Sequence, residues 1–236
     1  MAKGKKNIVK LVIINLITIT RLIGAFLLPF IYSKFGSNIV SIVIIGLFLT
    51  DAIDGFLARK LHASTFFGCI LDAASDKILN IISFIILGLN YNIMFTPIII
   101  EIAILYTMYS TYRYGGNVQS SFTGKVKTAI VDAIVVICFI LMSLPTFNFN
   151  LDIINYVIKN TESYIDVLAF IMIIADLIAL IDYMKKNNEA RKNPKAMEIK
   201  YEEKNRKPFK LIKKQLFDTE YYLKHKNESI MKQLYK

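Results

Sequence analysis

The chain has 236 residues, 55% of them hydrophobic, no tryptophan and a formal net charge of +11. Mean hydropathy is +0.47, and the apolar residues fall in runs of roughly 17 to 25, the length that crosses a bilayer core as helix. Those values exclude an ordinary water-soluble domain and predict an all-α polytopic membrane protein.

In chain order, about six runs qualify as spans: Ile8–Tyr32, Asn38–Leu57, Phe66–Leu89, Ile93–Thr111, Val126–Leu144 and Tyr164–Tyr183. The first begins with Lys3, Lys5, Lys6 and Lys10, as a secretory signal would, but it is too long and carries Asn15 and Arg21 in its middle. Residues 6–20 are expected partly along the membrane interface before the chain turns inward. Lys and Arg near helix ends favour the cytoplasm. The N-terminal lysines, Arg59-Lys60, the connection with Arg113, Lys125 and Lys127, and everything after Met184 alternate with loops holding only Lys34 and Lys159. Both termini therefore read as cytoplasmic, in a multi-pass protein of the cell membrane. Cys69 and Cys138 lie in different spans and read as core thiols, fitting neither a disulfide framework nor a CxxC metal site.

Residues 1–184 form the membrane domain in this reading, and 185–236 a basic cytoplasmic tail. The tail has 16 Lys+Arg against 7 Asp+Glu. Leu211, Ile212, Leu216, Phe217 and Leu223 recur at near-helical spacing. That pattern fits amphipathic helices drawn to anionic lipid as well as a partly disordered appendage. No nucleic-acid-binding motif accompanies the charge, so nucleic acid is not an expected partner.

The chemistry concentrates in "DAIDGFLARKLHASTFFGCILDAASDKILN", residues 51–80. Asp51 and Asp54 are three apart near the end of the second span, and Asp72 and Asp76 four apart near the start of the third. Each pair shares a helical face. The short turn between the spans makes them antiparallel neighbours, so the two pairs face each other just inside the cytoplasmic surface. Four carboxylates that close require protonation, ion pairing or metal. Lys77 and Arg59 could neutralise two at most. An all-oxygen cluster suits Mg²⁺ or Mn²⁺, and four acids suit a pair of ions completed by substrate phosphates. Gly55, Ala58 and Gly68 leave room beside the acids for a bulky ligand such as a nucleotide, although each glycine alone would read as ordinary close packing of membrane helices.

The pattern D-x2-D-G-x2-A-R-x8-G-x3-D-x3-D, filled here by Asp51, Asp54, Gly55, Ala58, Arg59, Gly68, Asp72 and Asp76, resembles the signature of the CDP-alcohol phosphatidyltransferases. "NLITITR" (Asn15, Thr18, Arg21) resembles the opening of that family's first span, and "TGKVKT" (Thr123 to Thr128), with Asp76-Lys77, resembles its phosphatidylglycerophosphate synthases. The resemblance covers roughly residues 6–185. It implies a transferase that binds CDP-diacylglycerol, passes the phosphatidyl group to an acceptor alcohol and releases CMP. It also implies that Asp51, Asp54, Asp72 and Asp76 hold two divalent ions, that Asp76 is in addition the catalytic base, and that Gly55, Ala58, Arg59 and Gly68 form the CDP site. A homodimer is implied by the resemblance alone.

For the acceptor, the resemblance of "GKVKT" favours glycerol 3-phosphate, a dianion for which Arg113, Lys125 and Lys127 could supply a pocket; positive-inside topology accounts for the same three cations. Ala73 stands where the phosphatidylglycerophosphate synthases commonly have proline, and Asp176 where a small polar residue is more typical. Both departures bear on the acceptor, leaving serine, an inositol phosphate or phosphatidylglycerol as alternatives. Asp132 and Asp176 are further acids inside later spans; Asp132 is expected to pair with a polar neighbour, and Asp176 has no assigned role. Two rivals compete. A membrane prenyltransferase would show separated D-x3-D clusters on two halves of the chain, which are missing. An intramembrane cation transporter would offer no reason for the glycines, Ala58 and Arg59 at their spacing.

Overall fold

The computed structural model describes residues 2–60, 65–114, 122–147, 151–192 and 216–225, with the side chains of residues 2–14, 52, 54–59 and 225 outside the description. The described elements are helices: α1 (Ala2–Lys60), α2 (Phe66–Gly88), α3 (Thr96–Arg113), α4 (Phe122–Ser143), α5 (Asp152–Lys159), α6 (Thr161–Lys192) and α7 (Thr219–His225), with 3₁₀ turns at Asn92–Phe95 and Leu144–Thr146. There is no strand among the described residues. In an apolar medium a helix satisfies its own backbone hydrogen bonds, which is why such runs take this form.

Helix α1 is two helices joined at Gly36, whose torsions (φ 77°, ψ −173°) are open to glycine and strained for other residues. The break turns the chain back on itself. A Cβ on Gly24 would come within 2.7 Å of the Leu47 side chain, and Arg21 pairs with Asp51. Both contacts join positions nearly equidistant from Gly36, as an antiparallel hairpin requires. Arg21 and Asp51 each stand about 22 Å of helix from the bend.

Among the described residues, four stretches are long and apolar enough to cross a membrane: Asn15–Asp51, Asn92–Arg113, Phe122–Thr146 and Thr161–Lys192. The first two sequence runs fall in one helix with a bend, and α2 is not among the four because Asp72, Asp76 and Lys77 interrupt its apolar run. The backbone is helical from Ala2 to the bend, with no turn after an interfacial stretch. Helix α6 continues to Lys192, so the boundary at residue 184 falls inside a helix. Composition changes there, but no proline or glycine interrupts the chain before Pro194.

Helix α1 packs on α2 and α4, α4 on α6, and α6 on α3. The core between them holds Leu28, Ile44, Leu79, Phe84, Val135, Phe139, Ile165 and Met172. Ser41 donates to the Phe139 carbonyl at 2.7 Å, tying α1 to α4. Outward faces are equally apolar: Phe26, Phe30, Ile42, Leu49, Ile99, Ile102, Val167 and Phe170 are all exposed. A surface of that kind is stable against lipid and a liability against water.

The hairpin supplies a paired test. Gly36 and Gly46 both have open space where a Cβ would go, so only the backbone distinguishes them. Gly36→Ala is expected to destabilise the protein by about 1–3 kcal/mol. Gly46→Ala, inside regular helix, should leave stability unchanged or raise it by about 0.5–1 kcal/mol. Thermal unfolding in detergent, followed by circular dichroism, reads both; equal effects would remove the bend at Gly36 as a constraint.

Candidate active site

Helix α2 begins with Thr65, whose Oγ1 accepts from the Gly68 N–H at 3.1 Å as an N-cap. From there Gly68, Asp72 and Asp76 rise along one face at steps of four residues. That face meets the second half of α1, and carboxylate oxygens of Asp51, Asp72 and Asp76 lie within 4.8 Å of one another. Helix α1 carries Asp54, Gly55, Ala58 and Arg59, but their side chains lie outside the described residues.

Arg21 occupies the middle of this cluster. Its side chain is fully buried and pairs with Asp51, with Asp72 at 2.6 Å and with Asp76 at 3.0 Å. Nε donates to Ser75 Oγ at 3.0 Å. A guanidinium presents several donors in a fixed plane, which lets one residue serve three acids from two helices. The carboxylates keep an open side: Asp51, Asp72 and Asp76 are 32%, 44% and 28% exposed. Gly68 faces Asn15, whose Oδ1 would stand 3.3 Å from an added Cβ, so "NLITITR" lies against the acid-bearing face of α2.

Three carboxylates this close, with one cation among them and an open side, form a donor set suited to a hard divalent ion. Sequence reasoning considered Lys77 and Arg59 as counter-ions and passed over Arg21. The signal was present, because a cation in the middle of an apolar run needs an acidic partner.

Lys77 turns instead to Glu101, at 3.0 Å. Glu101 also pairs with Lys127, whose Nζ stands 3.2 Å from Asp176. Glu101, Lys127 and Asp176 are buried. This second cluster joins α2, α3, α4 and α6 and gives Asp176 a partner that sequence reasoning could not name. Glu101 was missed altogether, although it too is a charge within an apolar run. Asn80 donates to Asp132 at 2.9 Å. Of the three cations considered for an acceptor, Arg113 and Lys125 are exposed and Lys127 is buried. Lys125 and Lys127, two apart on α4, point to different sides of it.

The family model for CDP-alcohol phosphatidyltransferase matches residues 11–181. The chain belongs to that family. Its matched region takes in both halves of the α1 hairpin, the acid-bearing face of α2 and both charge clusters. The phosphatidyltransferase chain is also similar to curated proteins named CDP-diacylglycerol–glycerol-3-phosphate 3-phosphatidyltransferase. That of Wigglesworthia glossinidia brevipalpis is 43% identical over 77 residues, 33% of this chain and 41% of the relative. Those of Yersinia enterocolitica and Escherichia coli K12 are 30% and 32% identical over 126 residues, 50% of this chain and 68% of each relative. No solved structure matches.

Arg21 yields a direct test. Removing one partner from a buried ion pair costs about 3–5 kcal/mol because the others are left uncompensated. Arg21→Gln should therefore melt well below the unsubstituted protein in chelator, and Mg²⁺ or Mn²⁺ should restore much of the loss by replacing the missing charge. Equal metal-induced shifts in both proteins would show that the acids do not depend on Arg21.

Proposed function

We propose that this protein transfers the phosphatidyl group of CDP-diacylglycerol to glycerol 3-phosphate, releasing CMP, at a divalent-metal site on the cytoplasmic side of the cell membrane. The observation that carries the reading is the meeting of Asp51, Asp72 and Asp76, three positions of an eight-residue signature, in a chain of the CDP-alcohol phosphatidyltransferase family. The relatives' shared name supports glycerol 3-phosphate as acceptor.

Asp51, Asp54, Asp72 and Asp76 would hold two Mg²⁺ or Mn²⁺ ions. Bound there, such ions would stabilise the charge that develops on the oxygens of the attacked phosphate and on the leaving CMP oxygen. Asp76 takes the proton of the acceptor hydroxyl as its oxygen bonds to the phosphorus attached to diacylglycerol, and the bond from that phosphorus to the CMP oxygen breaks. Arg21 fixes the three carboxylates against one another, which a reaction dependent on positioning requires. Gly55, Ala58, Arg59 and Gly68 accommodate the CDP moiety. The outward apolar faces of the helices support a site at which the acyl chains of the substrate remain in lipid.

In the membrane this reading has about six crossings, the α1 hairpin providing two and α2 one, with both termini and the basic tail cytoplasmic and the chain paired as a homodimer. Arg113 and Lys125 are exposed cations available to the acceptor phosphate. Lys127 contributes from within its cluster with Glu101 and Asp176.

Purified protein in detergent with Mn²⁺ and CDP-diacylglycerol should release CMP on addition of glycerol 3-phosphate, and not with serine, an inositol phosphate or phosphatidylglycerol. Release with another acceptor would reassign the substrate, and release with none would remove the transferase reading. Lys125→Ala should raise the KM for glycerol 3-phosphate several-fold with little change in kcat; an unchanged KM would return Lys125 to a topological role.

A further inference from the structure

The family match ends at residue 181, yet a segment beyond it packs on the start of α2, the helix that carries Asp72 and Asp76. Residues 216–225 lie against the start of α2. The Phe67 and Phe217 rings are 4.7 Å apart, and Phe66 meets Tyr222 edge-on at 5.0 Å and Tyr221 at 6.2 Å. Cys69 Sγ donates to the Tyr222 hydroxyl at 3.5 Å. Leu211 and Ile212, the first apolar positions of the tail pattern, lie outside the described residues.

The location on α2 gives the contact its meaning. Cys69 precedes Asp72 by three residues and Asp76 by seven, so it lies on the acid-bearing face one turn before the carboxylates. It also follows Gly68, a signature position. Tyr222 therefore meets α2 at Cys69, a position about 5 Å of helix before Asp72. The acids remain partly exposed with the tail in place.

We propose that residues 216–225 complete the nucleotide side of the substrate site, with Tyr221 and Tyr222 contacting the cytosine base of the CDP-lipid while its phosphates lie toward the aspartates. The proposal rests on the transferase reading above. Divalent ions, and a guanidinium already committed to three carboxylates as Arg21 is, can engage a pyrophosphate but give a planar base no face to stack on. Aromatic rings do, and a tyrosine pair one helical turn from the phosphate ligands has the chemistry to stack on it. The tail then acts on substrate affinity and not on the chemical step.

Tyr221→Ala and Tyr222→Ala should each raise the KM for CDP-diacylglycerol about tenfold, the factor expected for one lost base–aromatic stack. The kcat and the KM for the acceptor should stay within twofold, and Tyr222→Phe, which keeps the ring, should behave like the unsubstituted protein. Because the chain has no tryptophan, Tyr222→Trp places a single indole at the contact. Titration with CDP in the presence of Mn²⁺ should change its fluorescence saturably. Unchanged KM values in both alanine variants of an active enzyme would overturn the proposal. So would a parallel decline of melting temperature, kcat and every KM, which would make the segment a brace. Absence of CMP release from the unsubstituted protein would count against the transferase reading, and the CDP titration would then decide the tail separately: a saturable change upholds the contact, and no change removes it.

Discussion

A buried guanidinium held between three carboxylates is the interaction on which this structure turns. Arg21 could not lie in the middle of an apolar helix without acids beside it, and Asp51, Asp72 and Asp76 could not crowd together without a cation between them. Each defect compensates the other. The arrangement also fixes the larger geometry: the Gly36 bend must bring Arg21 to the level of Asp51, and α2 must present Asp72 and Asp76 at that same level. A reaction governed by positioning benefits from acids already held at fixed mutual distances before substrate arrives.

The second cluster obeys the same physics with another outcome. Lys77, Glu101, Lys127 and Asp176 balance two cations against two anions where α2, α3, α4 and α6 meet. Asp76 and Lys77 are consecutive, so neighbouring side chains of α2 join different clusters. Among the described residues the acids around Arg21 outnumber the cation that pairs with them and keep an open side, which suits them to recruit cations. In the balanced set Glu101, Lys127 and Asp176 are buried while Lys77 is partly exposed, and the set serves to lock helices together around Lys127.

Much of this was legible in the sequence because hydropathy and helix periodicity report on the same thing, the need to pair backbone groups in lipid. The helical class and the approximate limits of α2, α3 and α4 follow from it. The bend at Gly36 was visible only as a gap between apolar runs, since the sequence pattern contains no record of φ. Helix α6 runs past the point where composition changes, because a helix ends at a breaker and not at a change of polarity. Helix α5 is eight residues long and left no separate signal among the spans. Within the site, the aspartates were legible through spacing along a helix. Arg21 and Glu101 were not assigned because their partners lie 24 or more residues away, and pairing at that separation depends on how helices and the two halves of α1 pack. The contact of Tyr222 with Cys69 was beyond sequence reasoning for the same reason.

The account depends most directly on the aspartates acting together as a divalent-cation site that cooperates with the nucleotide. Mn²⁺ binding to the purified protein, followed by electron paramagnetic resonance with and without CDP, tests that claim without relying on turnover. The account predicts saturable binding that tightens when CDP is present and that is lost in folded Asp72→Asn. Binding indifferent to CDP and undiminished in Asp72→Asn would contradict it.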